Sequence, residues 1–360
     1  MQFLNNPHPI NPQAIQPNEY SNQASNNTYT SFFNLLKFLG SIFIVIFHLG
    51  CMYYRLGYGE NNNFLSLPDN ILYNFQLITE MFFIISGYLA VKSYQKYGTL
   101  KLREKIKKTY KISFITITLM FLIKMCFCNV TESGLGYTSF ISYLVQLLVL
   151  SPQILSIEVV EGLNSPLWYM ATLMLCYIII EYSQNNRNIY MPLILAGLFM
   201  FIFHFEYPIL NSWIGRGIAS FFTGCELFYF INSRSRYSKL EKITMTLLEL
   251  SIFIYLINNK NKIFYPLILL FFAIAIAFLC KCALVEKFTN NKIFTFLGRA
   301  SYYIYVCGAI CYQGVYIYLY NTHAINNINM YFFLALLLNI LLGMSLTLLM
   351  NKRNCKRINS

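Results

Sequence analysis

Two ionisable residues interrupt the first apolar stretch of the chain, SFFNLLKFLGSIFIVIFHLG: Lys37 and His48. Eleven steps of ~100° bring a helix back to within about 20° of its start, so the two share a helical face. At ~1.5 Å per residue, His48 lies ~24 Å from the beginning of that stretch, in the far half of a membrane crossing. A neutral imidazole there could take a proton from an acceptor hydroxyl, or it could make a plain hydrogen bond between helices. Lys37, near the beginning, could snorkel to the headgroups or neutralise a phosphate. Glu80, in YNFQLITEMFFIISGYLA, has no Lys or Arg one turn away in a stretch that would place it near mid-span, so it needs a partner or a proton. Ser86 and Gly87 follow, a small pair that lets a helix or a ligand approach the backbone.

Other chemistry-bearing residues are scattered through later apolar stretches. The basic run KLREKIKKTYK (101–111) carries Lys105, Lys108 and Tyr110. It could orient the chain and touch anionic lipid, or hold the phosphates of a nucleotide-bearing donor. Trp168 opens a span in NSPLWY, where an interfacial anchor is the ordinary role. Arg216 lies just inside SWIGRGIASFFTGCEL, with Glu226 deeper. Arg299 opens FLGRASYYIYVCGAICY, in which Ser301, Tyr302 and Tyr305 offer hydroxyls on one side of a helix; these suggest a lined cavity, although an aromatic span can be simple packing.

The elements that must position these groups are membrane helices. The 360 residues are 57% hydrophobic and only 11% charged, less than half the charge of an ordinary soluble domain. Spans are expected over roughly 32–53, 71–91, 112–128, 166–183, 190–206, 213–231, 243–258, 264–280, 293–320 and 330–350. Alternate connections between them and the C-terminus hold 20 of the 27 lysines and arginines, which puts both termini in the cytoplasm. Residues 139–157 are apolar enough to span, but a crossing there would invert every later basic loop. An outer-leaflet or re-entrant helix broken near Pro152 is expected instead. The expected fold is thus an all-α polytopic membrane protein of about ten transmembrane helices. A disordered polar tail (1–31) precedes the membrane domain (32–350), and a basic cytoplasmic tail (351–360) follows it.

Several classes are disfavoured. The net charge of +13 comes from short loops, which does not suggest a nucleic-acid partner. Ten cysteines show no metal-ligand spacing, so no metal is expected. A transporter or flippase for a lipid-linked glycan is the rival class; it would be favoured by two related halves, and none is evident. A glycan polymerase would call for a long outer loop with charged catalytic groups, but 129–165 has no Lys or Arg, only Glu132, Glu158 and Glu161.

The order Lys37–ten residues–His48, then Phe82-Phe83-Ile84-Ile85-Ser86-Gly87-Tyr88-Leu89, then a basic run ending Lys-Thr-Tyr, then Leu167-Trp168-Tyr169, then Gly298-Arg299-Ala300-Ser301-Tyr302-Tyr303-Ile304-Tyr305 resembles the membrane acyltransferase family 3, from about residue 32 to 350. The resemblance implies acyl transfer, usually of acetyl, from cytoplasmic acyl-CoA to a hydroxyl of a surface or cell-wall glycan or its lipid-linked precursor. It maps the family's essential histidine to His48 and its paired basic residue to Lys37. The donor Arg-x-x-Arg motif falls on Lys105 and Lys108, which keep the charge without the bidentate fork. The proline usual after Tyr110 is Lys111, and the histidine many members carry after the Ser-Tyr-x-x-Tyr run is Gly308. Joined to the residues read above, the expected site has His48 as base, polarised by Glu80, with Lys37, Lys105, Lys108, Tyr110 and Arg216 or Arg299 for acetyl-CoA. Ser86, Trp168, Ser301, Tyr302 and Tyr305 would face the acceptor. A multi-pass place in the cell membrane follows, among membrane lipids, and any second extracytoplasmic acyl carrier would be a separate protein.

Overall fold

A computed structural model describes residues 28–55, 74–127, 135–156, 164, 166–233, 265–280, 291–322 and 328–358, with 241, 244, 247, 250 and 289 between them. Ten helices run through these residues: α1 (Thr28–Arg55), α2 (Ile78–Tyr97), α3 (Leu102–Phe127), α4 (Leu135–Val149), α5 (Leu167–Tyr182), α6 (Tyr190–Ile202), α7 (Ser212–Ser233), α8 (Tyr265–Cys280), α9 (Lys292–Thr322) and α10 (Ile328–Ile358). The five stretches Phe32–Tyr54, Phe75–Tyr97, Leu102–Cys126, Lys292–Leu319 and Asn329–Met350 are long and apolar enough to cross a membrane, and α5, α6 and α8 are shorter apolar helices. Their outer faces carry large apolar residues, such as Ile115, Leu119 and Leu122 on α3 and Phe333, Leu337 and Leu341 on α10. In water such stripes would drive aggregation; in a bilayer they face lipid. The protein is an all-α, multi-pass membrane protein. The expected span at 243–258 lies largely outside the described residues.

Close helix contacts fix the arrangement. α1 and α9 run parallel in constant register: Asn34 meets Gly298, Val45 meets Gly308, and His48 stacks on Tyr312. α2 runs antiparallel to α1, with Phe33 against Tyr88 at 5.1 Å and Phe43 against Phe75 at 4.9 Å. α2 and α7 touch backbone to backbone, because a side chain on Gly87 would overlap the Phe221 carbonyl and one on Gly224 the Ile84 carbonyl. Small residues allow such approach where no hydrophobic force between helices operates.

The turn from α2 to α3 needs Gly98 at φ 69° as the left-handed cap. It is held by Glu181 of α5, whose carboxylate accepts from Thr99 Oγ1 at 2.5 Å and Leu100 N at 2.8 Å. The basic run 101–111 is not a loop, as expected, but the first turns of α3. The cause is composition: Leu, Lys, Arg, Glu and Ile favour helix once the chain has turned.

α4 is re-entrant. Phe121 of α3 packs on Tyr143 at 4.7 Å, Thr118 Oγ1 lies 3.3 Å from Tyr143 OH, and Tyr110 OH donates to Leu148 O at 3.1 Å, so α4 descends antiparallel to α3. It stops beside Tyr110, about 12 Å from the start of α3. The chain turns at Ser151 and Pro152–Leu155, and Ile154 O accepts from Ile209 N and Asn211 Nδ2 at the start of α7. Asn164 then binds Gln146 and Thr116 just before α5 begins.

Candidate functional site

The helix register sorts the polar side chains into layers. At one end, α1, α3, α5 and α9 converge. Lys37 lies within electrostatic reach of Lys105, and the constant α1–α9 offset sets it level with Ser301. Lys105 Nζ sits 4.1 Å from the centre of the Tyr177 ring, and Lys108 Nζ 5.5 Å from that of Tyr302. Lys108 also senses the exposed Arg299, and Lys105 senses Glu181. Lys105 and Lys108 are three residues apart on α3, so they share a face. Four cationic groups and two tyrosine rings thus form one cluster, able to hold a polyanion.

Above the cluster lies a column of rings and hydroxyls. Ser86 Oγ is 3.2 Å from Tyr169 OH, and the Tyr169 ring is 5.4 Å from Tyr305 and 4.4 Å from Phe83. Tyr305 OH donates to Pro166 O at 2.9 Å, and Ser301 Oγ donates to Gly298 O at 2.8 Å, so backbone carbonyls engage both hydroxyls.

At the far end of the column Glu80 and Arg216 form a buried ion pair, 1% and 7% exposed. Glu80 Oε1 accepts from Arg216 Nε at 2.7 Å and Nη2 at 2.5 Å, and from Tyr265 OH at 3.0 Å. The guanidinium carbon stands 5.4 Å from Trp168, 5.6 Å from Trp213 and 5.8 Å from Phe201. Such a pair is tolerated out of water because charge, hydrogen bonds and ring faces all compensate.

His48 is half-buried between α1 and α9, its imidazole stacked on Tyr312 with centroids 5.0 Å apart and planes 14° apart. The α1–α2 register, with Gly40 against Ile78 and Met81, sets Glu80 on the order of 10 Å short of His48 along the bundle.

The structure thus gathers Lys37, Lys105, Lys108, Arg299 and Tyr302 into one cluster and aligns Ser86 and Tyr305 above it. Four residues stand differently from what was expected. Glu80 does have the partner its burial required, but that partner is Arg216 and not His48; it falls in the first turn of α2, level with Gly40 on α1. Arg216 is committed to that pair, and Arg299 is the arginine within electrostatic reach of Lys108. Tyr110 is exposed and points to α4, because five residues along a helix turn it well away from Lys105. Trp168 packs on the Arg216 guanidinium and not on open space. Sequence reasoning did not single out Tyr177, Tyr265 or Tyr312. Each is an ordinary aromatic in an apolar run, and only the packing of distant helices gives it a role. Among the described residues no group of His, Cys, Asp and Glu could hold a metal ion.

A family model described as an acyltransferase domain matches residues 30–349, nearly the whole chain. No curated protein and no solved structure matches it.

Proposed function

The chain belongs to this acyltransferase family, membrane acyltransferase family 3, and on that premise we propose that it transfers an acetyl group from cytoplasmic acetyl-CoA to a hydroxyl of a surface or cell-wall glycan or its lipid-linked precursor, with His48 as general base. The observation that carries this reading is the cluster of Lys105 over the Tyr177 ring, Lys108 over the Tyr302 ring and Lys37 within electrostatic reach of Lys105. The donor is a polyphosphate with a long neutral arm. Lysines supply point charges for the phosphates, with Arg299 at the rim, and the arm passes into the layer above.

From Lys37 to His48 along α1 is ~16 Å, a rise that separates donor anchoring from proton transfer. At the upper level the His48 imidazole takes the proton of the acceptor hydroxyl as its oxygen attacks the thioester carbonyl. Glu80 does not touch this step in our account; with Arg216 it fixes α2 on α7. The lysine-rich end faces the cytoplasm by the bias of its charges, in a cell membrane, and the acceptor is a hydroxyl on the far side.

The reading is tested on donor affinity. Hydrogen bonds to charged groups contribute about 1.5–3 kcal/mol, so Lys105→Ala with Lys108→Ala should raise the KM for acetyl-CoA by ~10-fold or more in membrane vesicles. An unchanged KM would place the donor elsewhere.

A further inference from the structure

Asn339 lies in an apolar run of α10, MYFFLALLLNILLG, and is 0% exposed. Neither its amide nitrogen nor its carbonyl oxygen has a hydrogen-bond partner among the described residues. A buried amide in a membrane helix normally bonds to its neighbour, and an unmet donor and acceptor together destabilise a fold.

The surroundings say where the amide points. A β-carbon on Gly308 would lie 3.2 Å from Val45 Cγ2, 3.5 Å from Asn339 Nδ2 and 3.8 Å from Tyr312 Cε1. These groups from α1, α10 and α9 therefore meet at the small gap that Gly308 leaves. His48 is one turn beyond Val45 on α1, and its imidazole stacks on the same Tyr312 ring. Amide and imidazole thus lie within about one helical turn of each other along the bundle, beside the same tyrosine. Neither arginine competes for this place: Arg216 is held by Glu80, and Arg299 is at the lysine end.

We propose that Asn339 is a catalytic residue of the acyl transfer, its amide N–H donating to the carbonyl oxygen of the acyl thioester. This rests on the reading of His48 as base. As the acceptor oxygen bonds to the carbonyl carbon, its proton passes to His48 and the carbonyl π pair moves onto oxygen, where Asn339 Nδ2–H stabilises it. The pair then returns, the C–S bond breaks, and the CoA sulfur leaves and takes the proton from the imidazolium. The products are the ester and the free thiol. The amide is available for this, since no hydrogen bond among the described residues has to break first.

The test compares Asn339→Leu, Asn339→Ala and His48→Ala with the wild type in membranes of the source cell, which carry the natural acceptor. Radiolabelled acetyl-CoA reports transfer; in detergent, melting temperature and acceptor-free hydrolysis of acetyl-CoA are followed. The account expects Asn339→Leu to melt at or above the wild type, to keep the KM for acetyl-CoA, and to lose ~10²-fold in kcat, with hydrolysis falling alongside transfer. A kcat within about threefold of wild type overturns the proposal, as does a loss of transfer with hydrolysis intact. A lower melting temperature in both Asn339 variants assigns the amide to packing and also overturns it. Full transfer by His48→Ala would instead sink the base assignment. An inactive His48→Ala beside a fully active Asn339→Leu would sink the Asn339 proposal alone.

Discussion

Glu80 shows how far single residues carry the argument. A carboxylate amid FFIISGYLA had to find a compensating group, and it found Arg216, 136 positions away, together with Tyr265. The need was legible because it follows from burial cost alone; the partner was not, because α2 and α7 meet only through packing. Removing one member of a buried pair strands the other and costs about 3–5 kcal/mol, whereas removing both does not. Glu80→Met and Arg216→Met should each lower the unfolding free energy of the detergent-solubilised protein by about that much, and the double variant should recover most of it. Equal loss in the double variant would mean that the pair is not the unit. Asn339 is the opposite case, since an amide in a leucine run gives no signal until its lack of partners is seen.

Among elements, the α2–α7 contact is the most demanding. Gly87 and Gly224 bring the two backbones together, and this contact sets Ser86 toward Tyr169 and Glu80 toward Arg216. A β-carbon at residue 87 would overlap the Phe221 carbonyl, a backbone atom that cannot rotate aside. Gly87→Ala should therefore destabilise by the upper part of the about 1–3 kcal/mol range for overpacking, read as a lower melting temperature. Wild-type stability would show that α2 can move off α7. The sequence offered Ser86-Gly87 as a place for close approach without saying what approaches. It also hid the start of α3, because a basic run that orients a membrane protein looks the same as a loop or as a helix end. The stretch 139–157 stood apart from the spans for a global reason: a crossing there would have reversed the later basic loops.

At the scale of the whole molecule, the fold separates three chemistries along one axis. Cations gather where α1, α3, α5 and α9 converge, the buried ion pair locks α2 to α7 beyond the column, and the imidazole sits ~16 Å up α1 from Lys37. The all-helical membrane architecture could be read from apolar run length and low charge. Which residues share a level could not, because level depends on the parallel register of α1 with α9, and nothing local to either helix sets that. The layering makes His48 the point on which the account turns, distinct from the lysines that anchor the donor. The most direct test is transfer of label from acetyl-CoA to the acceptor in membranes carrying wild-type protein or His48→Ala at equal abundance. The account predicts that His48→Ala inserts normally, keeps the wild-type dependence of acetyl-CoA binding on Lys105 and Lys108, and transfers no label above membranes lacking the protein. Label transfer by His48→Ala at the wild-type rate would contradict it.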